Sequence, residues 1–264
     1  AEFGWQFAPG ATVEIMPCLA GFVGGDALCA AVACGLDTAE EPALLMDIGT
    51  NGEIVLGDKN GLWACSAAAG PAFEGACITH GMSALPGAIC GVSWEDGGLK
   101  IKTLADKPPI GLCGSGLIDA VATLVEQEYI DETGYFEDML LAGDVWLTAQ
   151  DIRQVQLAKG AMAAGVEILL HEAKLKAKDI KHVYLAGGFG TWMNPVSACR
   201  IGLISPELLH KITPCGNAAG TGARQALLSK AHRARIETAS IKASYVELSN
   251  HPLFQGLFMD NMMF

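Results

Sequence analysis

The chain has 264 residues, about half of them hydrophobic, and a formal charge of −12 at pH 7. An acidic excess of this size speaks against a general phosphate-backbone binder, which needs clustered Lys and Arg, so nucleic acid is not an expected partner. Charged residues interrupt every apolar run before the roughly 18 to 20 residues that a bilayer span requires, and Ala1 to Gly10 lacks the cationic start, apolar run and cleavage site of a signal peptide. A soluble, cytoplasmic protein is expected. Nine cysteines with no C-x-x-C pair and no iron–sulfur ligand run read as reduced thiols in the core. No metal site is predicted, and the six histidines are dispersed along the chain. The chain begins without Met, and Ala1-Glu2-Phe3 reads as a cloning remnant, so a fragment of a longer protein is expected.

In chain order, Thr12 to Met16 suggests a short strand, and Asp26 is placed to cap an Ala-rich helix running through Cys34. Leu44 to Gly57 reads as two apolar strands around a polar, Gly-containing turn, with a third strand at Leu62 to Ala67. Ala88–Val92 and Leu99–Leu104 flank Asp96-Gly97-Gly98, which supplies the positive φ angles of a tight hairpin turn. Gly111 to Gly116 leads into a helix from Leu117 to about Glu128, and residues 130–147 read as a variable surface insertion around Gly134 to Asp144. From Thr148, apolar residues at 152, 155, 158, 162, 166, 169 and 173 keep helical spacing. Gly160 and Gly165 inside that helix weaken it and imply close approach of another element. His182 to Ala186 is a strand entering Gly187-Gly188-Phe189-Gly190, and Asn217 to Gly222 opens an Ala-rich helix through Leu228. The tail from Ser244 to Phe264 is expected to dock on the body. Strands followed by alternating helix and strand indicate an α/β fold with a mixed sheet.

Two turns carry the chemistry. In Asp47-Ile48-Gly49-Thr50-Asn51-Gly52-Glu53, the glycines let backbone N–H groups approach phosphate oxygens, Thr50 and Asn51 add donors, and Asp47 at a strand end can hold Mg²⁺ through water. Taken alone, this turn equally fits an ordinary acidic connection between strands. In Leu185 to Gly190, three glycines clear space for a flat group such as adenine with its ribose, although a tight strand-to-helix turn has the same composition.

The two motifs in this order resemble the ATPase superfamily of actin, heat-shock chaperones, sugar kinases and acetate kinase. Gly25 to Asp37 is similar to the helix before that family's second phosphate loop, Asp47 to Glu53 to the loop itself, and Leu185 to Gly190 to its adenosine motif. Gly187 follows Asp47 by 140 residues, about one lobe, and no other Asp-x-Gly-Thr precedes it. The resemblance implies a ribonuclease H-like lobe with a five-stranded type of mixed sheet, the first lobe and its phosphate loop being absent. Within the superfamily the chain resembles the C-terminal domain of reductive activators of corrinoid proteins, including the activating enzymes of O-demethylases and methyltransferases. The likeness rests on Met46–Leu56, on Cys65 to Ala76 with its Gly-Pro-Ala-Phe-Glu-Gly, on Gly111–Asp119, on Leu185–Pro195 and on Gly216–Ala223.

That resemblance implies ATP and Mg²⁺ as cofactors, a corrinoid protein as partner, often a homodimer, and reduction of Co(II) to Co(I). The electron comes in such proteins from an N-terminal 2Fe–2S domain, whose cysteine framework this sequence lacks. Asp47 would position Mg²⁺ or water, Gly49, Thr50 and Asn51 would contact phosphates, and Gly187, Gly188 and Gly190 would border the nucleoside. Glu74, with Gly75, would order the metal or attacking water, unless it is an ordinary helix-start acid; Glu53 is open to the same two readings. Ser66, in the small-residue stretch to Gly70, is proposed to meet the corrinoid near cobalt, the competing reading being close sheet packing. A docking module without ATP turnover and a lobe of a sugar or short-acid kinase are the competing functions.

Overall fold

The apolar runs at residues 43–48 and 52–58 have almost no alternation because both faces of the strands they form are covered. In the computed structural model, which describes residues 8–11 and 13–264, the elements follow in order. Helix α1 (Gly25–Ala33) precedes β1 (Ala43–Ile48), β2 (Gly52–Asp58), β3 (Gly61–Ala67) and a 3-10 turn at Pro71–Glu74. Next come β4 (Ala88–Glu95), β5 (Gly98–Thr103), β6 (Gly111–Leu112), α2 (Gly114–Glu126), β7 (Met139–Ala142), β8 (Val145–Leu147) and α3 (Ala149–Glu172). The last third holds β9 (His182–Ala186), the short turn α4 (Gly187–Gly190), α5 (Pro195–Arg200), β10 (Ile212–Gly216), α6 (Ala218–Leu228), α7 (Lys230–Lys242), β11 (Ala243–Tyr245) and α8 (Phe254–Asp260).

The main sheet has the order β10-β9-β1-β2-β3-β11, with β1, β2 and β3 antiparallel and β9 and β10 parallel to β1. The expected five strands are joined by a sixth, because Ala243–Tyr245 pairs parallel with β3 at the edge. Leu44, Met46, Ile48, Ile54, Leu56 and Cys65 pack on one face, towards α3 and Phe73. Ala43, Leu45, Val55, Leu62 and Ala64 pack on the other, under α1, α6 and α7. Small residues bring α1 and α6 together: a Cβ on Gly222 would lie 2.1 Å from the Cys29 carbonyl oxygen.

Several expectations are corrected. Val13–Met16 form no strand, and Thr12 lies outside the described residues. The N-cap of α1 is Gly24, while Asp26 stands in the first turn and accepts from the Ala27 N–H at 2.9 Å. Helix α2 starts three residues before Leu117, inside Gly-Ser-Gly, because Gly116 presses on the Ile89 carbonyl oxygen, where a Cβ would come within 2.2 Å. The hairpin turn has positive φ at Asp96 and Gly97, the pair a two-residue type I′ turn demands. Within 130–147, β7 and β8 form a hairpin whose Leu141, Val145 and Leu147, with Phe136 before it, are buried in the main core. Among the cysteines, Cys29, Cys65, Cys113 and Cys199 are buried and Cys18 and Cys77 exposed.

Helix α3 opens with a capping box in which Thr148 and Asp151 exchange side-chain and backbone bonds. Asp151 is fully buried and also accepts from the Thr79 N–H at 2.7 Å, tying the segment after the 3-10 turn to the helix. Both helix glycines mark close approaches, Gly165 to Ile54 and Gly160 to the Phe258 carbonyl oxygen of α8. The tail does dock: Gln156 Nε2 donates to the Met262 carbonyl oxygen at 3.0 Å and the Phe264 N–H to that of Glu132 at 2.9 Å. Among the described residues no helix is long and apolar enough to cross a membrane.

Lys159 of α3 is 1 % exposed, donates to the Met263 carbonyl oxygen and stands 4.9 Å over the Phe264 ring. No carboxylate is paired with it among the described ion pairs, and burial lowers its pKa to about 8. A lysine pKa lowered by folding makes the charged form a cost below pH 8, relieved as pH rises towards the unfolded value of about 10.4. In urea titrations the wild type should therefore gain on Lys159→Met by up to about 3 kcal/mol between pH 8 and 10.5. The difference between the two proteins cancels the titration of the thiols.

Candidate nucleotide site

Strands β1 and β9 run side by side with Asp47 opposite Ala186, so the loop leaving β1 and the turn leaving β9 emerge at the same end of the sheet. The carboxyl ends of adjacent parallel strands are where open α/β sheets form a crevice. Gly187 has φ +87, and a Cβ there would lie 2.7 Å from the Ile48 carbonyl oxygen and 2.8 Å from Asp47 Oδ1. Only glycine permits both the left-handed backbone and the contact. The Gly49 N–H donates to the Asn51 carbonyl oxygen at 3.1 Å, closing the first loop on itself.

Glu74 ends the 3-10 turn begun by Pro71 rather than starting a helix. Its carboxylate accepts from Thr50 Oγ1 at 2.8 Å, joining the turn to the β1–β2 loop. Gly75, at φ +83, stops the turn where a Cβ would fall 2.7 Å from the Met82 nitrogen.

A cleft of about 1050 Å³ opens here, lined among others by Asp47, Gly49, Glu74, Gly187 and Gly188. Phe73 and Phe189 form one wall, their rings 5.3 Å apart and 3° from parallel. Cys90, Lys102 and Ser115 from the smaller sheet and α2 line the cleft as well, and Trp192 at its border is 80 % exposed. A Cβ on Gly188 would meet nothing within 4 Å, so the backbone there faces open space.

The other candidates lie elsewhere. Thr50 and Asn51 are exposed at the loop tip, outside the lining; Gly75 and Gly190 are also outside it, Gly190 being packed on Leu185. Ser66 is opposite Glu53 across β2 and β3, and its hydroxyl donates to Glu53 Oε1 at 3.4 Å. Sequence reading missed Phe73, Lys102 and Trp192. The Gly-Pro-Ala-Phe-Glu-Gly motif contained a signal for Phe73, whereas nothing around Lys102 distinguished it from a surface lysine of a hairpin.

Asp47 and Glu53 face each other in the β1–β2 register, with Asp26 of α1 close enough to act on both. Burial first, and then the Asp26 charge, push the Asp47 carboxyl above the usual range. Glu53 is raised by burial, Asp26 and Asp47 against the opposing pull of its own N–H and the Ser66 hydroxyl. Like charges held together in a half-buried place disfavour ionisation of each.

Residues 41–264 match the family described as the C-terminal domain of RACo, the ASKHA domain. The chain belongs to this family. It is similar to the corrinoid activation enzyme RamQ of Eubacterium limosum, 34 % identical over 97 % of this chain and 48 % of that protein. It is also similar to the Co(II) methylated amine-specific corrinoid protein reductase of Methanosarcina barkeri, 28 % identical over 97 % of this chain and 52 % of that protein. A solved structure titled reductive activator for corrinoid, iron-sulfur protein superposes with a TM-score of 0.87 at 38 % identity, covering 94 % of this chain and 44 % of that one. The chain thus spans about half the length of the curated relatives it matches. The ASKHA assignment agrees with the actin-like fold expected from the two motifs and with the mixed sheet between helical layers.

Because folding raises the Asp47 pKa, its charge costs stability above that pKa, and the cost vanishes below the unfolded value of about 3.9. Asp47→Asn should melt higher than the wild type at pH 7 without nucleotide or divalent cation. That gap should close as pH falls through the acid range in calorimetric scans.

Proposed function

We propose that this chain supplies half of the nucleotide site, and the partner-docking surface, of an ATP-dependent reductive activator of corrinoid proteins. The observation that carries this reading is the meeting of the Asp47 loop and the Gly187 turn in one cleft, 140 residues apart in sequence. The names of the corrinoid-activating relatives support the substrate class. On this reading the chain is the C-terminal lobe of a longer protein, and a homodimer is the proposed assembly.

The residues present fit a magnesium nucleotide. The acids in and behind the cleft are oxygen donors whose mutual repulsion a hydrated divalent cation would offset, as Mg²⁺ prefers one or two carboxylates plus waters and phosphates. Gly49, Gly187 and Gly188 bring bare backbone to the cleft, leaving room for phosphates and a nucleoside. When bound, the magnesium nucleotide would supply the free energy released when water cleaves its terminal phosphoanhydride bond. Asp47 would hold the hydrated ion, Glu74, already fixed by Thr50, would orient an attacking water, and Thr50 and Asn51 would reach the phosphates from the loop tip. Gly190, packed under the turn, would set the position of Gly187 and Gly188. Phe73, Phe189 and Trp192 offer flat surfaces for a base.

The proposed overall change is the gain of one electron by a partner's Co(II) corrinoid to give Co(I), the electron coming from a 2Fe–2S cluster outside this chain. Ser66 and the small residues to Gly70 remain the proposed approach for that partner; Ala68 is exposed and a Cβ on Gly70 would meet nothing within 4 Å.

Asp47→Ala in the full-length activator should lower ATP turnover by roughly 100-fold or more. Turnover unchanged from wild type rejects the site. Capture of a corrinoid protein with no calorimetric ATP binding would replace this reading with a docking module.

A further inference from the structure

His171 and Glu172 lie at the C-terminal end of α3, and His251 stands on the segment that leads into α8. None of the three lines the nucleotide cleft. Glu172 Oε1 lies 3.4 Å from His171 Nδ1 and 3.3 Å from His251 Nε2, and all three atoms fall within 4.8 Å of one another. The rings meet edge to face, centroids 6.1 Å apart at 78°, so two nitrogens converge on one carboxylate oxygen. Tetrahedral zinc, with bonds of about 2.0–2.1 Å, sets neighbouring ligand atoms about 3.3–3.4 Å apart. Both imidazole–carboxylate edges already have that separation.

We propose that His171, Glu172 and His251 form a zinc-class site that fastens the 248–264 tail to the end of α3, with water in the fourth position. Two imidazoles and a carboxylate suit Zn²⁺ better than Mg²⁺ or Ca²⁺, which prefer oxygen alone. The His251 side chain is 11 % exposed and anchored, while that of His171 is 62 % exposed and free to swing the remaining distance. Binding has an identifiable cost. The Leu253 N–H donates to His251 Nδ1 at 3.3 Å, and a cation on Nε2 puts the proton on Nδ1, so the amide must turn from the ring. Leu253 is exposed, which leaves water to take over that donor. The site depends neither on the nucleotide reading nor on the corrinoid partner.

The test is a calorimetric Zn²⁺ titration of the whole protein, of His171→Ala and of His171→Ala/His251→Ala. Because nine free thiols can also take zinc, Co²⁺ absorption spectra accompany it, distinguishing nitrogen and oxygen ligation from thiolate charge transfer. One cation per chain is expected in the wild type, with affinity roughly 10-fold or more weaker in His171→Ala. Added Zn²⁺ should raise the wild-type melting temperature and leave that of the double variant unmoved. Equal affinity in the double variant, a thiolate spectrum as the principal signal, or no uptake at all overturns the site.

Discussion

The missing side chain at residue 187 is the constraint on which the cleft depends. The parallel pairing of β1 and β9 brings the two strand ends together, but at a distance that leaves room for hydrogen and nothing more. Parallel neighbours cannot be joined by a tight turn, and here the chain between them runs through β2 to β8, α2 and α3. The cleft's geometry is therefore fixed by core packing: the faces of β1 are sealed by α3 below and by α1 and α6 above.

Against that rigid frame the acids work the other way. Asp26, Asp47 and Glu53 crowd together at one end of the central strands without a cation among the groups that shift them. Local violations of good folding practice gather at functional sites, where the cost is offset by burial elsewhere. Here the offset comes from the apolar runs that continue each acid-bearing strand, Leu44–Met46 before Asp47 and Ile54–Leu56 after Glu53.

How far the sequence could be read followed the strength of each local signal. β1, β2, β3 and α3 were legible because long apolar runs or a 3.6 period left few alternatives, and Thr148 and Asp151 marked a helix start by chemistry alone. α7 was invisible, since Lys230–Lys242 is polar on nearly every side and carries only Ile236 and Ala239 into the core. β11 is three residues, too short for any pattern, and exists because β3 offers it an open edge. Asp26 was misplaced by two residues because a glycine can cap as well as an acid. In the cleft, glycines and acids could be found from spacing, whereas Lys102 and Trp192 are brought there by tertiary folding. Likewise Glu172 and His251 meet across 79 residues, a distance at which no spacing rule operates.

The way residues 254–264 lie along α3 has a consequence for synthesis. Until Phe258 and Met262 have left the ribosome, the Gly160 stripe and the buried amine of Lys159 have no cover, although strands β1 to β3 are long since made. The nascent lobe therefore stays unsealed along α3 until residues 254–264 emerge, long after the helix they cover has been made.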